Sequence, residues 1–323
     1  MRLLKRTPTF DFMGPRRVAV AISVVVMLLA AGSLAVRGLE LGLDFTGGVL
    51  IEVRYDEAPD LDAIRSLLNA NGYENPMVQN FGGPTEVLIR MPPVETAAGD
   101  SGADSEATAQ EEAADLANDV VALLQTADAS AERRDSHYVG PQIGEELIEK
   151  GGQALLFVLV MVFAYIVLRF RWKFAAGAIA ALVHDVLITF GFFSWSGLEF
   201  DQSVLAAVLA VIGYSLNDTI VVFDRIRENF RLMRRGTAEA IVNTSINQTL
   251  SRTMITGITT LLVLTALYFL GGPTVSGFAI ALIVGIIVGT YSSIYVASAA
   301  ALYLEVSPAD LMPPKREEID SLP

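Results

Sequence analysis

The chain has 323 residues, of which 52% are apolar, and its mean hydropathy is +0.47. This composition is too apolar for an ordinary soluble domain of that length and indicates a membrane protein surrounded by lipid. The net charge is −13 and there is no cysteine, which argues against a nucleic-acid partner and excludes disulfides and thiolate chemistry.

Six apolar segments approach or reach the roughly 20 residues that a helix needs to cross the hydrocarbon core of a membrane. They are Val18–Val36, Gly151–Leu168, Phe174–Ser194, Ser203–Phe223, Thr253–Leu270 and Gly277–Leu304. The first is longer than the roughly 7–15 apolar residues of a secretion signal and no convincing A-x-A cleavage site follows it, so we expect an uncleaved anchor. The last repeats a small residue at every fourth position from Gly277 to Ala301, which predicts close packing against another helix.

Arginine and lysine predict the orientation of these segments. Basic residues occupy the N-terminal tail (1–17), the connections after the second and fourth segments, and the C-terminal tail (305–323), whereas the short loops after the third and fifth segments have none. Because cytoplasmic loops are enriched in basic residues, both tails are predicted to be cytoplasmic. Residues 37–150 then form an outer domain, and residues 151–304 form a bundle of five helices.

The outer domain alternates strand and helix patterns. Apolar and polar residues alternate along Val49–Tyr55, and helical spacing follows in Leu61–Ala70, with Asp60 as a candidate N-cap. The remaining patterns are strands at Met77–Phe81, Glu86–Met91 and Asp135–Val139, and a second amphipathic helix at Ala114–Leu124. The order β-α-β-β-α-β predicts a ferredoxin-like fold.

One stretch of the outer domain is almost without large apolar residues. Pro92–Ala114 is rich in Ala, Glu, Asp, Gly and Ser, and we expect it to be disordered because it can bury little apolar surface. The domain shows no catalytic constellation, and its lone histidine, His137, does not predict a metal site.

The stretch Glu239–Arg252 lies between the fourth and fifth apolar segments and mixes polar with apolar residues. This pattern predicts an amphipathic helix along the inner membrane surface. The chain would then turn into the membrane with the fifth segment.

Ionisable residues inside the bundle are informative, because a carboxylate at the centre of a bilayer costs roughly 2.5–3.5 kcal/mol on the insertion scale. Asp218 lies in the fourth segment, and Arg252 immediately precedes the fifth. At about 1.5 Å per residue, the two residues lie roughly 24 and 28 Å from the outer ends of their helices, so adjacent helices would bring them to the same depth. The pair either marks a proton pathway or is a buried ion pair that fixes helix register.

Other polar side chains could extend this site. The third segment carries His184 and Asp185, a pair that either relays protons or satisfies neighbouring polar groups. The remaining polar candidates are Tyr214, Asn217 and Thr256. No phosphate-binding G-x-x-x-x-G-K-[ST] motif occurs, whereas a buried Asp beside an Arg can take a proton from one side and release it to the other. The sequence therefore predicts proton coupling rather than nucleotide hydrolysis.

Five stretches resemble motifs of the SecF family of the bacterial protein-export machinery. "LGLDFTGGVLIEV", Leu41–Val53, resembles the D-F-x-G-G signature that SecD and SecF proteins share, and "GYSLNDTIVVFDRIREN", Gly213–Asn229, resembles the fourth-helix signature of SecF. The other three are "VGPQIGEEL" at Val139–Leu147, "LVHDV" at Leu182–Val186 and "SINQTLSRTMITGITT" at Ser245–Thr260. The signature residues are Asp44, Phe45, Gly47 and Gly48. The resemblance covers nearly the whole chain, and only Pro92–Ala114 stands outside it.

The resemblance implies a membrane subunit that pairs with SecD in a twelve-helix body related to the resistance-nodulation-division exporters. It implies that the outer domain is periplasmic and that the chain lies in the bacterial inner membrane. Its other partners would be the SecYEG translocon with its small associated membrane subunits and the unfolded secretory polypeptide. The proton motive force would promote translocation and release of secreted proteins, without enzymatic chemistry and with protons as the only coupling ion. The family's essential membrane acid maps to Asp218 and its partner arginine to Arg252.

Three other interpretations remain open from the sequence. A proton-driven exporter of small molecules or lipids would share the buried acid, but it usually carries twice as many helices in one chain. An intramembrane aspartyl protease would use Asp185 and Asp218, but neither lies in a G-x-G-D context. A structural scaffold of the translocon would use the polar residues for helix register alone.

Overall fold

The structure, a computed structural model, describes residues 8–73, 76–92, 103–170, 172–233 and 236–306. The helices are α1 (Arg16–Arg37), α2 (Leu43–Thr46), α3 (Leu61–Ala70), α4 (Ala103–Ala127), α5 (Pro141–Arg169), α6 (Trp172–Ser196), α7 (Gln202–Leu232), α8 (Ala238–Leu270), α9 (Pro273–Ser292) and α10 (Ser298–Tyr303). A π-helical turn, Ser293–Ala297, connects the last two. The strands are β1 (Gly48–Arg54), β2 (Met77–Phe81), β3 (Gly83–Met91) and β4 (Glu132–Val139).

Within the described residues, six helical spans are long and apolar enough to cross a membrane, which confirms the six predicted segments. α6, α7 and the α9–α10 span are the most buried of the six, and α1, α5 and α8 lie around them. The outward faces of these outer helices are apolar, for example at Leu28, Phe157 and Leu262, which are each about two-thirds exposed. Such apolar faces suit contact with lipid. Lipid offers no hydrogen-bond partners, and a helix satisfies the hydrogen bonds of its own backbone.

The four strands form one antiparallel sheet in the order β2-β3-β1-β4. This strand order, with α3 and α4 as the crossover helices, is the ferredoxin-like topology that the sequence predicts. Alternation along β1 places Val49, Ile51 and Val53 on one face, in a core with Leu68 of α3 and Val120 of α4. The helices therefore cover one face of the sheet, and the other face borders an open cleft above the membrane bundle.

The prediction that Pro92–Ala114 is disordered is wrong from Ala103 onward, where α4 begins; residues 93–102 lie outside the described part of the chain. Ala109 and Ala113 are buried, and they continue the buried face of the helix through Ala117. Alanine has the highest helix propensity, and its small side chain lets a helix lie close to a sheet. Residues 103–114 therefore form part of a packed helix although they include no large apolar residue.

We expect Ala113→Asp to lower the free energy of unfolding of the outer domain by about 2–3 kcal/mol, because it buries a carboxylate without a partner. The neighbouring Ala114 is exposed on the same helix, so Ala114→Asp is the matched control, with an expected loss below about 1 kcal/mol. Urea-dependent proteolysis of the purified full chain measures both. Equal effects of the two substitutions would show that this part of α4 does not pack on the sheet.

α5 begins before the predicted domain boundary at residue 150. Gly140 is the N-cap residue and Pro141 the first helical residue, a position that proline favours. Glu146 and Lys150 form an ion pair one turn apart on the exposed surface of the helix, which supports helical structure beyond the apolar span. Residues 141–150 therefore belong to the helix that enters the bundle.

The prediction of a separate surface helix at Glu239–Arg252 is wrong, because α8 is one unbroken helix. Its first half packs on the end of α7, where Ile246 and Ile226 are buried in one cluster. Asn229 of α7 donates a hydrogen bond to Ser245 Oγ at 2.8 Å. The apolar side chains of this stretch thus pack on α7, and Asn243 and Asn247 accept hydrogen bonds from the backbone N–H groups of Phe12 and Phe10. The amphipathic pattern therefore reflects contacts within the protein rather than a helix lying on the membrane.

The small residues of the last span allow α9 to approach α7 closely, as their spacing predicts. A Cβ atom at Gly285 would clash with the side chain of Val211, and one at Gly289 would lie 3.0 Å from the Cβ of Ser215. Two central helices therefore meet through glycine. This contact lies beside the buried polar residues.

Candidate functional site

A polar cluster lies at the centre of the bundle, where α6, α7 and α9 meet. Asp185 of α6 is fully buried. Its Oδ2 accepts hydrogen bonds from Ser215 Oγ of α7 at 2.6 Å and from Ser292 Oγ of α9 at 2.8 Å. Its Oδ1 lies 2.9 Å from His184 Nδ1. One carboxylate therefore joins three helices and has a partner at each oxygen, as a buried charge requires.

The cluster depends on a glycine on the neighbouring helix. A Cβ atom at Gly289 would lie 3.5 Å from Asp185 Oδ2, in addition to its contact with Ser215. Because the position is glycine, the two hydroxyl groups and the carboxylate can gather between the helices. We refer to His184, Asp185, Ser215 and Ser292 as the Asp185 cluster.

Asp218 lies one helical turn after Ser215 on α7, on the same side of the helix. It is 3% exposed, and its Oδ2 has no hydrogen-bond partner among the described residues. The same holds for Tyr214 Oη and Thr253 Oγ1. A carboxylate oxygen without a partner inside a membrane bundle can accept a proton without first breaking a hydrogen bond.

Arg252 and Asp218 lie on contacting helices, α8 and α7, but no hydrogen bond or ion pair between these two described side chains is present. Arg252 is exposed on α8, while Asp218 points into the bundle. The depth argument places the residues at similar levels, but it carries no information about how each helix is rotated. A direct ion pair between Asp218 and Arg252 therefore stays a prediction. It would require α7 and α8 to be rotated or shifted relative to their positions in this structure.

His184 lies at the other side of the Asp185 cluster. Its ring is stacked on Tyr291 of α9, with the ring centroids 6.2 Å apart. Tyr291 Oη donates a hydrogen bond to the carbonyl of Ala19 in α1 at 2.8 Å and accepts one from Ser23 Oγ at 3.3 Å. The aromatic pair thus connects the cluster to the first helix.

The structure brings only some of the predicted polar residues together. His184 and Asp185 form the cluster, whereas Asn217 is exposed on α7. The hydroxyl of Thr256 donates to backbone carbonyls of its own helix. The predicted polar network is thus replaced by one that includes Ser215 and Ser292, which sequence reasoning missed. Ser215 had a signal, since a residue three positions before Asp218 shares its helix face, but Ser292 had none.

The D-F-x-G-G signature lies where the outer domain meets the bundle. Asp44 Oδ2 accepts a hydrogen bond from the backbone N–H of Gln202, the first residue of α7, at 3.0 Å. Phe45 is buried and stacks on Phe200, with the ring centroids 6.1 Å apart. Gly48 starts β1. This signature therefore contacts both the sheet and the outer end of the helix that carries Asp218.

Four further contacts strengthen this connection. Arg90 of β3 forms an ion pair with Glu199 at 2.5 Å and donates to the carbonyl of Leu41 at 3.0 Å. The backbone of Phe200 exchanges hydrogen bonds with Glu40 and Gly42. We call residues 40–48 and 199–202, together with Arg90, the outer joint.

The two glycines of the signature are required by conformation. Gly47 has φ +69° and Gly48 has φ +124°, a region that other residues rarely adopt. A Cβ atom at Gly48 would also clash with the carbonyl oxygen of Met91 in β3. The glycines therefore let the chain pass from α2 into the central strand of the sheet.

The geometry of the described residues supports neither a metal site nor the active site of an aspartyl protease. Within the described part of the chain, no group of three His, Cys, Asp or Glu residues could hold a metal ion. An aspartyl protease needs two carboxylates that share a proton. The oxygens of Asp185 are instead bonded to serine and histidine, and no hydrogen bond between the described Asp185 and Asp218 is present.

Comparisons with known proteins agree with the motifs. A family model described as "Protein export membrane protein SecD/SecF, C-terminal" matches residues 119–307, and one described as "SecD/SecF GG Motif" matches residues 32–59. The chain is 45% identical to the protein translocase subunit SecF of Pseudomonas aeruginosa over 318 residues, or 98% of each chain. It is also 45% identical to the SecF of Vibrio alginolyticus over 327 residues, covering 100% of this chain and 99% of that one.

Solved structures show the same relationship. SecDF from Thermus thermophilus, described as a translocon-associated membrane protein, is similar with a TM-score of 0.79 at 38% sequence identity. The match covers 94% of this chain but 39% of the SecDF chain, so the chain spans well under half the length of that protein. A structure of SecDF in a super-membrane-facing form is similar over the same shares, with a TM-score of 0.67.

Proposed function

The chain belongs to the SecF family of protein translocase subunits, and from this premise we propose that it works with SecD to couple proton movement to protein export. The proton motive force would promote translocation and release of secreted polypeptides at the outer side of the inner membrane. The observation that carries the proposal is the buried Asp218, whose Oδ2 has no hydrogen-bond partner among the described residues. Asp218 lies on α7, whose first residue, Gln202, donates a backbone hydrogen bond to Asp44 within the outer joint.

Proton binding at Asp218 changes the attraction between α7 and α8. The ionised carboxylate attracts the positive charge of Arg252, and the protonated, neutral group does so less. Because the charges act across a medium of low dielectric constant, this difference is larger than it would be in water. Uptake from the outer side and release to the cytoplasmic side would then alternate two packings of these helices.

The movement of α7 reaches the outer domain through the outer joint. α7 is continuous from Gln202 to Leu232, so a shift at Asp218 also moves the end that Asp44 holds. The ion pair between Arg90 and Glu199 connects the same end to the central part of the sheet. The outer domain would follow the helix, which is the motion that a release step for a secreted chain requires.

The exposed face of α8 supports an obligate partner in the membrane. Arg252 is exposed on this helix, and an arginine facing lipid is unfavourable unless another protein or water covers it. The chain also spans only 39% of the SecDF chain to which it is similar. We therefore assign the rest of a SecDF-like body to SecD and propose the SecYEG translocon, its small membrane subunits and the secretory polypeptide as further partners. Both termini are proposed to be cytoplasmic and the outer domain periplasmic.

We expect this chain, tagged and extracted from native membranes in mild detergent, to purify together with SecD. Proteoliposomes that contain the complex should conduct protons and should release a translocating polypeptide faster when a proton gradient is imposed. The same liposomes with a dissipated gradient serve as the control. A stable monomer that conducts protons alone, or release that is indifferent to the gradient, would contradict the proposal.

A further inference from the structure

One buried imidazole nitrogen, Nε2 of His184, takes no part in the proposed proton coupling through Asp218. His184 is 1% exposed, and its Nε2 has no hydrogen-bond partner among the described residues. Its other nitrogen, Nδ1, lies 2.9 Å from Asp185 Oδ1. A buried imidazole with one nitrogen fixed and the other free is arranged for protonation rather than for packing alone.

The hydrogen-bond pattern defines which nitrogen is free. The carboxylate of Asp185 already accepts from two hydroxyl groups, Ser215 Oγ and Ser292 Oγ. It accepts again from His184, so Nδ1 carries the hydrogen in the neutral ring and Nε2 carries the lone pair. A proton that binds to Nε2 turns the imidazole into an imidazolium next to a carboxylate. The buried pair then has no net charge.

The surroundings of His184 contain few other ionisable groups. On the packed elements they are Asp185 on α6, Tyr214 and Asp218 on α7, Tyr291 on α9 and Tyr295 in the π-helical turn, while Arg252 lies on α8 beyond Asp218. The charged residues of α1 and α5 lie toward the ends of those helices, away from the apolar stretch against α6. The only carboxylate bonded to His184 in the described residues is therefore that of Asp185.

The helix behind the ring has an irregular segment at this level. The π-helical turn begins at Ser293, directly after Tyr291 and Ser292, and Ser298 Oγ bonds to the carbonyl of Ser293 at 3.1 Å. Such turns interrupt the regular hydrogen bonding of a helix and are frequent at functional sites. A small movement of α9 that follows a change at His184 can therefore be absorbed at the π-helical turn, where the regular helical hydrogen bonding is already interrupted.

We propose that His184 is a second proton-binding group of this membrane domain, with Nε2 as the atom that takes up the proton and Asp185 as its positioning residue. This inference rests on the proposed function, because the proton comes from and returns to water on the two sides of the membrane. Uptake forms one N–H bond and release breaks the same bond, so no other reactant is needed. Through Asp185 and Tyr291, the site connects proton occupancy to α6, α7, α9 and α1. Asp218 connects proton occupancy to α7 and α8, so the two sites share α7, on which Ser215 lies one turn from Asp218.

The substitution His184→Asn separates proton binding from structure. The asparagine amide can donate to Asp185 in place of Nδ1–H, but it has no counterpart of Nε2. We expect the variant to assemble with SecD at normal abundance and to lose gradient-dependent export per complex by about 100-fold or more, the lower end of the range for a proton-transferring group. The matched control is His137→Gln, which changes the other histidine of the chain at an exposed position of the outer domain, and it should retain export.

Export by His184→Asn at the wild-type rate would overturn the proposal. If Asp218→Asn is inactive in the same assay, the proposed function still stands and only the role of His184 falls. If both variants export normally, the proposed function falls as well.

A direct titration decides the question even if His184→Asn fails to assemble. This chain has two histidines, so ¹⁵N-histidine labelling of this chain alone, reconstituted with unlabelled SecD, reports on His184 and His137. The His137→Gln variant identifies the resonances of His184. We expect both the Nδ1–H form and the doubly protonated form of the His184 ring to be observed as the pH of the reconstituted complex is lowered. A ring that stays neutral at every pH at which the complex remains assembled overturns the inference.

Discussion

Asp218→Asn is expected to leave the complex with SecD assembled at normal abundance and to abolish proton-dependent export, with a loss of about 100-fold or more. Asparagine has nearly the shape of aspartate and keeps a hydrogen-bonding oxygen, but it cannot bind and release a proton. Because the carboxylate oxygen has no partner among the described residues, the substitution breaks no hydrogen bond at that atom. The variant should also be dominant over the wild type when overproduced, since it occupies SecD without working.

Arg252→Met tests the other half of the same pair. We expect it to be as inactive as Asp218→Asn, because the carboxylate would lose the charge whose attraction changes with protonation. If the two residues only fix helix register, both single variants should instead assemble poorly and the double variant should recover activity, since the uncompensated charge is gone. Subunit abundance and export rate are measured side by side, with and without a proton gradient. Full gradient-dependent export by Asp218→Asn would exclude this residue as the coupling group.

Gly48→Ala is expected to reduce the stability and therefore the abundance of the protein, rather than its activity per complex. The backbone at Gly48 has φ +124°, and an added Cβ atom would clash with the carbonyl oxygen of Met91, the residue opposite Val49 in the sheet. Strain and overpacking together should destabilise the outer domain by about 3 kcal/mol or more. The outer joint would open, and abundance should fall several-fold through degradation.

Gly83→Ala is the matched control for this prediction. Gly83 also begins a strand, but a Cβ atom there would have no neighbour within 4 Å, and its φ is not in the positive range. This variant should keep wild-type abundance and export. Thermal unfolding and protease resistance of both full-length variants are the measurements. Equal stability of Gly48→Ala and Gly83→Ala would show that the signature glycine is not needed to pass the chain into β1.

Several features of this protein follow from local sequence, because hydropathy and periodicity act over a few turns of chain. Segments such as Val18–Val36 and Phe174–Ser194 are apolar over the length of a bilayer, and no tertiary contact is needed to predict that they span it. The alternation in Val49–Tyr55 likewise predicts a half-buried strand. Asp218 is identifiable because an acid in an apolar segment is costly and must have a reason to be there.

Local patterns failed where helix formation or position depended on a partner. Pro92–Ala114 is too poor in large apolar residues to predict a fold, but Ala109 and Ala113 are buried because α4 lies close to the sheet. Glu239–Arg252 has the composition of a surface helix, but its side chains pack on α7 and on the segment before α1. In both cases the stabilising contacts come from residues far away in the sequence, which a window of local hydropathy does not contain.

For the candidate site, too, some features follow from the sequence and others follow only from the tertiary structure. Sequence alone determined that Asp185, Asp218 and Arg252 lie within or beside membrane-spanning helices, since this depends on hydropathy and on the rise per residue. Only the tertiary structure decided that Ser215 and Ser292 close around Asp185, and that Arg252 is exposed on α8 instead of bonded to Asp218. The physical reason is that depth in the membrane follows from counting residues, whereas the rotation of each helix follows from how side chains such as Gly289 let it pack against its neighbours.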